Sequence, residues 1–135
     1  MSAPEAVVFD LGKVLLDFDY GIAVRGLQNF CDISEEQLRA RIDQSPLLLR
    51  YECADIGTEE FFGEVTAQSG FRGTLADFSA QFGDIFHEID PMIELHAELR
   101  KKGVPTYVFS NTNAIAIEHI RKRFPFFRDF DGYIL

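Results

Sequence analysis

Apolar residues occur along the chain in two different patterns. The runs at 6–9 and 104–109 are continuous, which is typical of strands buried on both faces of a parallel sheet. Between them, from about Tyr20 to Ile89, apolar positions recur at helical spacing with polar residues interposed. This pattern predicts an α/β protein with a Rossmann-like parallel sheet that is interrupted after its first strand by a helical insertion.

Helix start signals support the same division of the chain. Ser34 followed by Gln37 three residues later forms a capping box, which opens a helix in the insertion. Asp90 before Pro91 is an N-cap followed by proline at the first helical position, and it returns the chain to α/β character. These signals place the boundaries of the insertion within a few residues.

Two parts of the chain follow from these boundaries. Residues 1–19 and 90–135 are predicted to form the α/β core, and residues 20–89 a helical domain. Residues 12–19 of the core are expected to form a turn and a short extended flap after the first strand. No strand is expected within residues 20–89.

Composition excludes several classes of function. The formal net charge is −9 without a basic face, so we expect no nucleic-acid partner. No apolar run approaches the roughly 20 residues that span a bilayer, and the N-terminus lacks a basic segment followed by a long apolar one. A cytoplasmic protein is therefore expected. The two cysteines, Cys31 and Cys53, suggest no disulfide framework and are expected to be small buried residues.

Candidate chemistry lies where the two apolar runs end. Asp10 follows the first run and Ser110 follows the second, and the carboxyl ends of parallel strands share one edge of a sheet. Asp10 can act as a nucleophile or metal ligand, and Ser110 with the backbone N–H groups that lead into the next helix can hold an anion. The alternatives are an aspartate that ends a strand in a turn and an ordinary polar loop with an asparagine cap.

The remaining polar residues favour structural roles. Basic runs at 100–102 and 121–123 each fall in the last turn of a predicted helix, where cations interact favourably with the helix dipole. His87, His96 and His119 lack the spacing of metal ligands. His96 lies on the inward side of a predicted helix, so we expect it to be packed in the core.

Two segments around the candidate residues resemble motifs of the haloacid dehalogenase-like (HAD) hydrolase superfamily. VVFDLGKVLLD, at 7–17, resembles the first motif, and VPTYVFSNTN, at 104–113, resembles the second. The helical block between them lies where that superfamily inserts a small cap domain. The FDLG sequence in the first motif and the segment ADIGTEEFF, at 54–62, are similar to sequences of the glucose-1-phosphatase-like branch.

The resemblance implies specific roles. Asp10 attacks phosphorus and its other oxygen binds Mg²⁺, while the Gly12 carbonyl is a second metal ligand. Ser110 and the Asn111 backbone hold the transferring phosphoryl group. The implied activity is Mg²⁺-dependent hydrolysis of a small phosphorylated metabolite through an aspartyl-phosphate, under a helical cap that excludes water.

Two positions depart from the usual pattern of the superfamily. Gly12 stands where most of its phosphatases carry an aspartate that serves as general acid and base, a contribution of about 10²–10⁴ in rate. The FDLG branch shares this glycine. Asp17 or Asp19 on the flap could replace the acid or could be solvated carboxylates. Lys13 stands where glycine or asparagine is more usual, and its ammonium is expected near the phosphate or in solvent.

A third strand is predicted around Gly132 to Leu135, and the superfamily's third and fourth motifs, a lysine and an acidic pair, do not follow it. We therefore expect a truncated chain that holds Mg²⁺ weakly and is nearly inactive alone. The first strand would then be an exposed sheet edge, with self-association as a possible consequence. Two alternatives stay open: a haloacid dehalogenase in which Asp10 attacks carbon without Mg²⁺, and a non-catalytic fragment that binds a partner.

Overall fold

The structure is a computed structural model that describes residues 4–43 and 45–135. Within these residues the chain forms five strands, seven α-helices and one 3-10 helix. The strands are β1 (Val7–Phe9), β2 (Leu16–Phe18), β3 (Phe86–Glu88), β4 (Thr106–Phe109) and β5 (Gly132–Ile134). The helices are α1 (Tyr20–Gln28), α2 (Glu35–Ile42), α3 (Pro46–Glu52), α4 (Thr58–Ser69), α5 (Leu75–Gly83), α6 (Asp90–Lys101), α7 (Ala114–Arg123) and the 3-10 helix (Pro125–Arg128).

The main sheet is parallel, in the order β1-β4-β5. Val7 pairs with Thr106 and Tyr107 pairs with Gly132, so the three strands run in register through β4. The connections between neighbouring parallel strands contain helices, as such crossovers require. The predicted α/β class and the helical insertion after the first strand are both confirmed.

The prediction that both faces of the strands are buried was wrong for the described residues. Phe9 and Val108 are buried, whereas Val8 and Phe109 on the opposite face are 63% and 56% exposed. The buried face is covered by α6 and the segment before β5, since Phe9 contacts the rings of His96 and Phe130. Continuous apolar strands predict burial on two sides, but within residues 4–43 and 45–135 only one side has a covering layer.

A second, antiparallel sheet consists of β2 and β3, with Asp17 opposite His87. The flap at 12–19 is confirmed, but the expectation of no strand within residues 20–89 was wrong at β3. Three residues are too few for alternation to be distinguished from helical periodicity. The glycine–aspartate pair at 83–84, just before this strand, was a turn signal that could have marked it.

Of the two helix starts predicted from the sequence, one is confirmed and the other is wrong. The Ser34–Gln37 capping box is present, with the hydroxyl and the amide each bonded to the other's backbone N–H. Asp90, however, is the first residue of α6, and Ile89 occupies the N-cap position without a side-chain hydrogen bond. The Ile89 N–H instead donates to the Leu15 carbonyl at 2.9 Å, so the flap fixes the start of this helix.

The chain divides into two compact units. The sheet unit comprises residues up to 18, 86–111 and 121–135, and the helical unit comprises residues 19–85 and 112–120. Helix α7 contributes to both. The core of the helical unit is aromatic: Tyr51 stacks on Phe61 at 4.3 Å between ring centroids, and Phe78 stacks on Phe82 at 5.4 Å.

Two further expectations concern the surface. None of the helices in the described ranges is long and apolar enough to cross a membrane. Cys31 and Cys53 are both free thiols, so no disulfide links them. The expectation that they are buried was wrong, because Cys31 is half-buried and Cys53 is exposed at the end of α3, where the chain turns toward α4.

Candidate active site

The two predicted site residues of the strands lie at the same edge of the main sheet. Phe9 is opposite Val108, so Asp10 follows the end of β1 and Ser110 follows the end of β4 on the neighbouring strand. With strands about 4.8 Å apart and a rise of about 3.3 Å per residue, this register brings their backbones to within roughly 6 Å. The arrangement is the expected one for chemistry at the carboxyl edge of an α/β sheet.

The Asp10 side chain is exposed and only partly engaged. One carboxylate oxygen, Oδ1, accepts a hydrogen bond of 2.7 Å from the Leu11 backbone N–H. Among the described residues, Oδ2 has no hydrogen-bond partner. The carboxylate is therefore oriented by the backbone through one oxygen while the other remains available to an incoming ligand.

A tight loop follows Asp10. The buried Leu11 offers its carbonyl to the N–H groups of Leu15 and Leu16, both at 3.0 Å. The Lys13 N–H donates to the Leu16 carbonyl at 2.8 Å, and Lys13 itself has a φ of 64°, in the left-handed region. This backbone fold returns the chain into β2 and fixes the position of the Gly12 carbonyl.

Gly12 has no room for a side chain. A Cβ atom built on it lies 2.9 Å from Cε1 of Phe18, closer than side chains approach one another. The Phe18 ring is itself packed against Phe86, with 5.9 Å between centroids. An aspartate at this position would therefore require the Phe18 ring to shift.

Lys13 and Asp17 form an ion pair on the flap. Lys13 Nζ donates to Asp17 Oδ1 at 2.7 Å and to the Phe18 carbonyl at 2.8 Å, and it lies 4.6 Å from the centre of the Phe18 ring. The hydrogen bond from Lys13 lowers the pKa of the Asp17 carboxyl. Asp17 is thus held as a carboxylate, which does not donate a proton. The Lys13 ammonium is bound to the flap by these contacts, while its side chain remains exposed.

The other flap carboxylate also has a structural role. Asp19 belongs to the helical unit, where it is the N-cap of α1 and accepts from the Gly21 N–H at 2.7 Å. On the sheet unit, His87 Nε2 lies 3.5 Å from Asp17 Oδ2 across the β2–β3 pair. Sequence reasoning missed this neighbour because β3 was not predicted.

Ser110 is buried, and its backbone N–H is already used by the sheet, donating to the Ile134 carbonyl at 2.9 Å. Its hydroxyl makes only a long contact of 3.4 Å to the Asn111 carbonyl. The Asn111 N–H donates to no group in the described ranges. The hydroxyl of Ser110 and the N–H of Asn111 are therefore the two donors that this strand end offers to an anion.

The loop also contains the asparagine cap that the alternative interpretation expected. Within the helical unit, the Asn113 side chain accepts from the Ala116 N–H at 2.8 Å, and its carbonyl accepts from the Ile117 N–H. Asn113 is buried, and its side-chain oxygen serves as the cap of α7.

The donors for a divalent cation are few. Asp10 supplies a carboxylate and Gly12 a carbonyl, and the described part of the chain contains no group of three or more His, Cys, Asp or Glu residues placed to hold a metal. Mg²⁺ requires about six oxygens but often keeps several waters and binds through one or two carboxylates plus substrate phosphate. A carboxylate from Asp10 and a carbonyl from Gly12 are compatible with such a site.

His96 has the packing role expected of it. Its side chain is 2% exposed, stacks on Phe130 at 4.0 Å between centroids, and places Nε2 3.2 Å from Thr106 Oγ1. Burial lowers the pKa of the imidazole. The ring is a neutral member of the core and takes no part in the candidate site.

Comparison with solved structures identifies the fold. A HAD family enzyme of Bacteroides thetaiotaomicron, bt-2542, superposes with a TM-score of 0.80 and 22% identity over 99% of this chain and 69% of its own. A complex of the same enzyme with magnesium and inorganic phosphate gives 0.75 and 23% over 98% and 69%. A HAD-like family hydrolase of Porphyromonas gingivalis gives 0.74 and 22% over 96% and 65%.

Neither a protein-family model nor a curated protein sequence matches the chain. The structural comparisons show that it has a HAD-like Rossmann core, in agreement with the resemblance of its two motifs. The chain spans about two thirds of the length of these enzymes.

Proposed function

We propose that this chain is part of a HAD phosphatase that hydrolyses a small phosphorylated metabolite through an aspartyl-phosphate at Asp10. The observation that carries the proposal is the register of β1 and β4, by which a half-engaged carboxylate and a hydroxyl with only one long hydrogen bond lie at one sheet edge. The magnesium and phosphate bound by the structurally similar enzyme support the same chemistry.

The reaction divides into two displacements at phosphorus. Asp10 Oδ2 attacks the phosphoryl group, the P–O bond to the metabolite breaks, and the leaving oxygen takes the electron pair. The Ser110 hydroxyl and the Asn111 N–H donate to the phosphoryl oxygens as negative charge builds on them. Water then attacks the aspartyl-phosphate, releasing inorganic phosphate and regenerating the carboxylate.

Mg²⁺ is the proposed cofactor, with Asp10 and the Gly12 carbonyl as its ligands from this chain. When bound, the ion neutralises charge on the phosphoryl oxygens. Because only two protein ligands come from the described residues, we expect weak binding and low activity of this chain alone.

The leaving group receives no proton from the flap. Gly12 has no side chain, Asp17 is kept ionised by Lys13, and Asp19 caps a helix. We therefore propose that the preferred substrates have leaving groups that depart without protonation, so that rates fall steeply as the leaving-group pKa rises.

The proposal is tested by measuring turnover of p-nitrophenyl phosphate in Mg²⁺ and in EDTA, for the unaltered chain and for Asp10→Asn. Asp17→Asn is the matched control, because it makes the same chemical change seven residues away. Turnover that requires Mg²⁺ and Asp10 supports the phosphatase. Release of chloride from chloroacids in EDTA supports the dehalogenase alternative instead.

A binding role is the second candidate, because one face of the main sheet is apolar and uncovered. Val8, Tyr107, Phe109 and Ile134 are all exposed on the described surface. The free edge of β1 lies next to Val8, so self-association through this edge is the proposed form of binding. Val8→Lys places a charge at the edge, and a loss of concentration-dependent dimers in sedimentation measurements would support it. A cytoplasmic location stays a prediction from the sequence.

A further inference from the structure

A cleft of about 360 Å³ lies in the sheet unit. It is lined by Arg121, Lys122, Phe127, Arg128 and Tyr133, none of which belongs to the loop after Asp10 or to the end of β4. The lining contains cationic groups and aromatic rings and no acidic side chain. Its volume is within the range of pockets that bind small ligands.

The helix dipole does not account for all of these charges. Arg121 is in the last turn of α7, where a cation is favourable, but Arg128 ends the following 3-10 helix. Within the described residues, neither guanidinium has a hydrogen-bond or ion-pair partner. Arg123 differs, since it donates to the Phe86 carbonyl at 3.1 Å.

The nearby carboxylates are occupied elsewhere. Asp129 pairs with Arg100, and Asp131 accepts from the Thr106 N–H at 2.7 Å. Cationic groups collected around one cleft are unusual in a chain with a net charge of −9. Their mutual repulsion is relieved when an anion binds between them.

The floor of the cleft is aromatic. Phe127 and Tyr133 lie 5.1 Å apart between ring centroids, and the Tyr133 hydroxyl donates to the Phe127 carbonyl. Because that hydroxyl is engaged and Phe127 is buried, the Tyr133 ring offers apolar surface rather than a hydrogen bond. Tyr133 remains 38% exposed, so a planar group can reach it.

We propose that this cleft binds a small organic phosphate that joins at least two negative charges to a planar apolar group, as a nucleoside diphosphate does. Arg121 and Arg128 contact the phosphate oxygens, with Lys122 adding positive charge, and the planar group rests on Tyr133. The site is separate from the phosphoryl-transfer chemistry proposed for Asp10.

The test titrates the 135-residue chain with ADP, pyrophosphate and adenosine at low salt, following backbone and aromatic signals by NMR. We expect ADP to bind more tightly than either pyrophosphate or adenosine, with shifts at the cleft residues and weaker binding as salt is added. Arg121→Ala and Arg128→Ala should each weaken ADP about tenfold, the loss of one charge-assisted contact.

Arg50→Ala is the matched control for charge, because Arg50 is an exposed arginine in the helical unit. Ser110→Ala excludes binding at the candidate active site, and both controls should leave ADP affinity unchanged. Tyr133→Leu should weaken ADP but not pyrophosphate. Equal losses in Arg50→Ala and Arg128→Ala, loss in Ser110→Ala, shifts outside the cleft or absence of saturable binding would each overturn the proposal.

Discussion

The sheet unit and the helical unit differ in how completely they bury their own apolar side chains. In the helical unit, Phe61 and Phe78 are fully buried in an aromatic core. In the sheet unit, Val8 and Phe109 of the main sheet remain exposed. The candidate active site belongs to the sheet unit, whose core is the less complete of the two. The conformation at the carboxyl edge of the main sheet therefore depends on a small set of packed residues.

Charge separates the two units as clearly as packing does. The sheet unit contains nine acidic and eight basic side chains, whereas the helical unit contains thirteen acidic and five basic ones. The strongly negative charge of the chain therefore belongs almost entirely to the helical unit. An anionic ligand meets less long-range repulsion at the sheet unit, where both proposed anion sites lie.

The largest expected difference between the units is in the cost of removing a phenylalanine ring. Phe61→Ala empties a fully buried position and should lower the free energy of unfolding by about 3–5 kcal/mol. Phe109→Ala makes the same change at an exposed position and should alter it by less than about 0.5 kcal/mol. Urea unfolding of both variants measures the contrast. Equal costs would mean that the exposed sheet face is covered in solution.

Much of this contrast could be predicted from the sequence, and the reasons differ by region. The Ser34 capping box and the continuous strands are local signals, so the insertion and the parallel sheet were recognised. Strand β3 is too short to carry a period, and its pairing with β2 depends on residues about 70 positions apart. The exposure of Val8 depends on what covers the sheet, which no local pattern in β1 encodes.

The candidate site was predictable in position and less so in detail. Asp10 and Ser110 were found from strand ends alone. The close approach at Gly12 could not be found in this way, because it involves the Phe18 ring of β2, which would lie 2.9 Å from a Cβ atom at position 12. The ion pair of Lys13 with Asp17 likewise depends on the left-handed conformation at Lys13.

The next largest effect is expected at the loop after Asp10. Gly12→Ala forces the Phe18 ring to move and should lower the free energy of unfolding by about 1–3 kcal/mol, as overpacking does. Gly63→Ala is the matched control, since its Cβ meets no atom within 4 Å and α4 should gain about 0.5–1 kcal/mol. Stabilisation by both substitutions would contradict the close approach of Phe18.

The free energy of unfolding should depend on pH through a histidine in the core of the sheet unit. Burial lowers the pKa of His96 below its usual value of 6.5, so the unfolded chain binds a proton more readily than the folded one. The contribution of His96 to stability is complete above that value and is lost as the pH falls from about 6.5 toward the folded pKa. Urea unfolding at several pH values should show this loss.

Two substitutions identify the origin of that pH dependence. His96→Leu should remove it, whereas His87→Leu, at an exposed histidine of the same unit, should leave it in place. An unchanged slope in His96→Leu would show that other groups are responsible.

The smallest effect is expected at Lys13. Lys13→Asn loses an exposed ion pair, which is a weak interaction in solvent, but places at a φ of 64° a residue that tolerates this conformation. The two effects oppose each other, so the midpoint of urea unfolding should stay close to that of the unaltered chain. A large loss of phosphate affinity in this variant would show that the ammonium leaves Asp17 to contact the ligand.

The most direct test of the account is to look for the phosphoryl group on Asp10. The chain is mixed with Mg²⁺ and acetyl phosphate, a phosphoryl donor whose leaving group needs no proton. The reaction is then quenched in acid, and the protein is examined by intact-mass and peptide-mass spectrometry. We predict a phosphoryl adduct on the peptide that contains Asp10, present in Asp17→Asn and absent in Asp10→Asn. Phosphate release without such an adduct, or an adduct that persists in Asp10→Asn, would contradict Asp10 as the nucleophile.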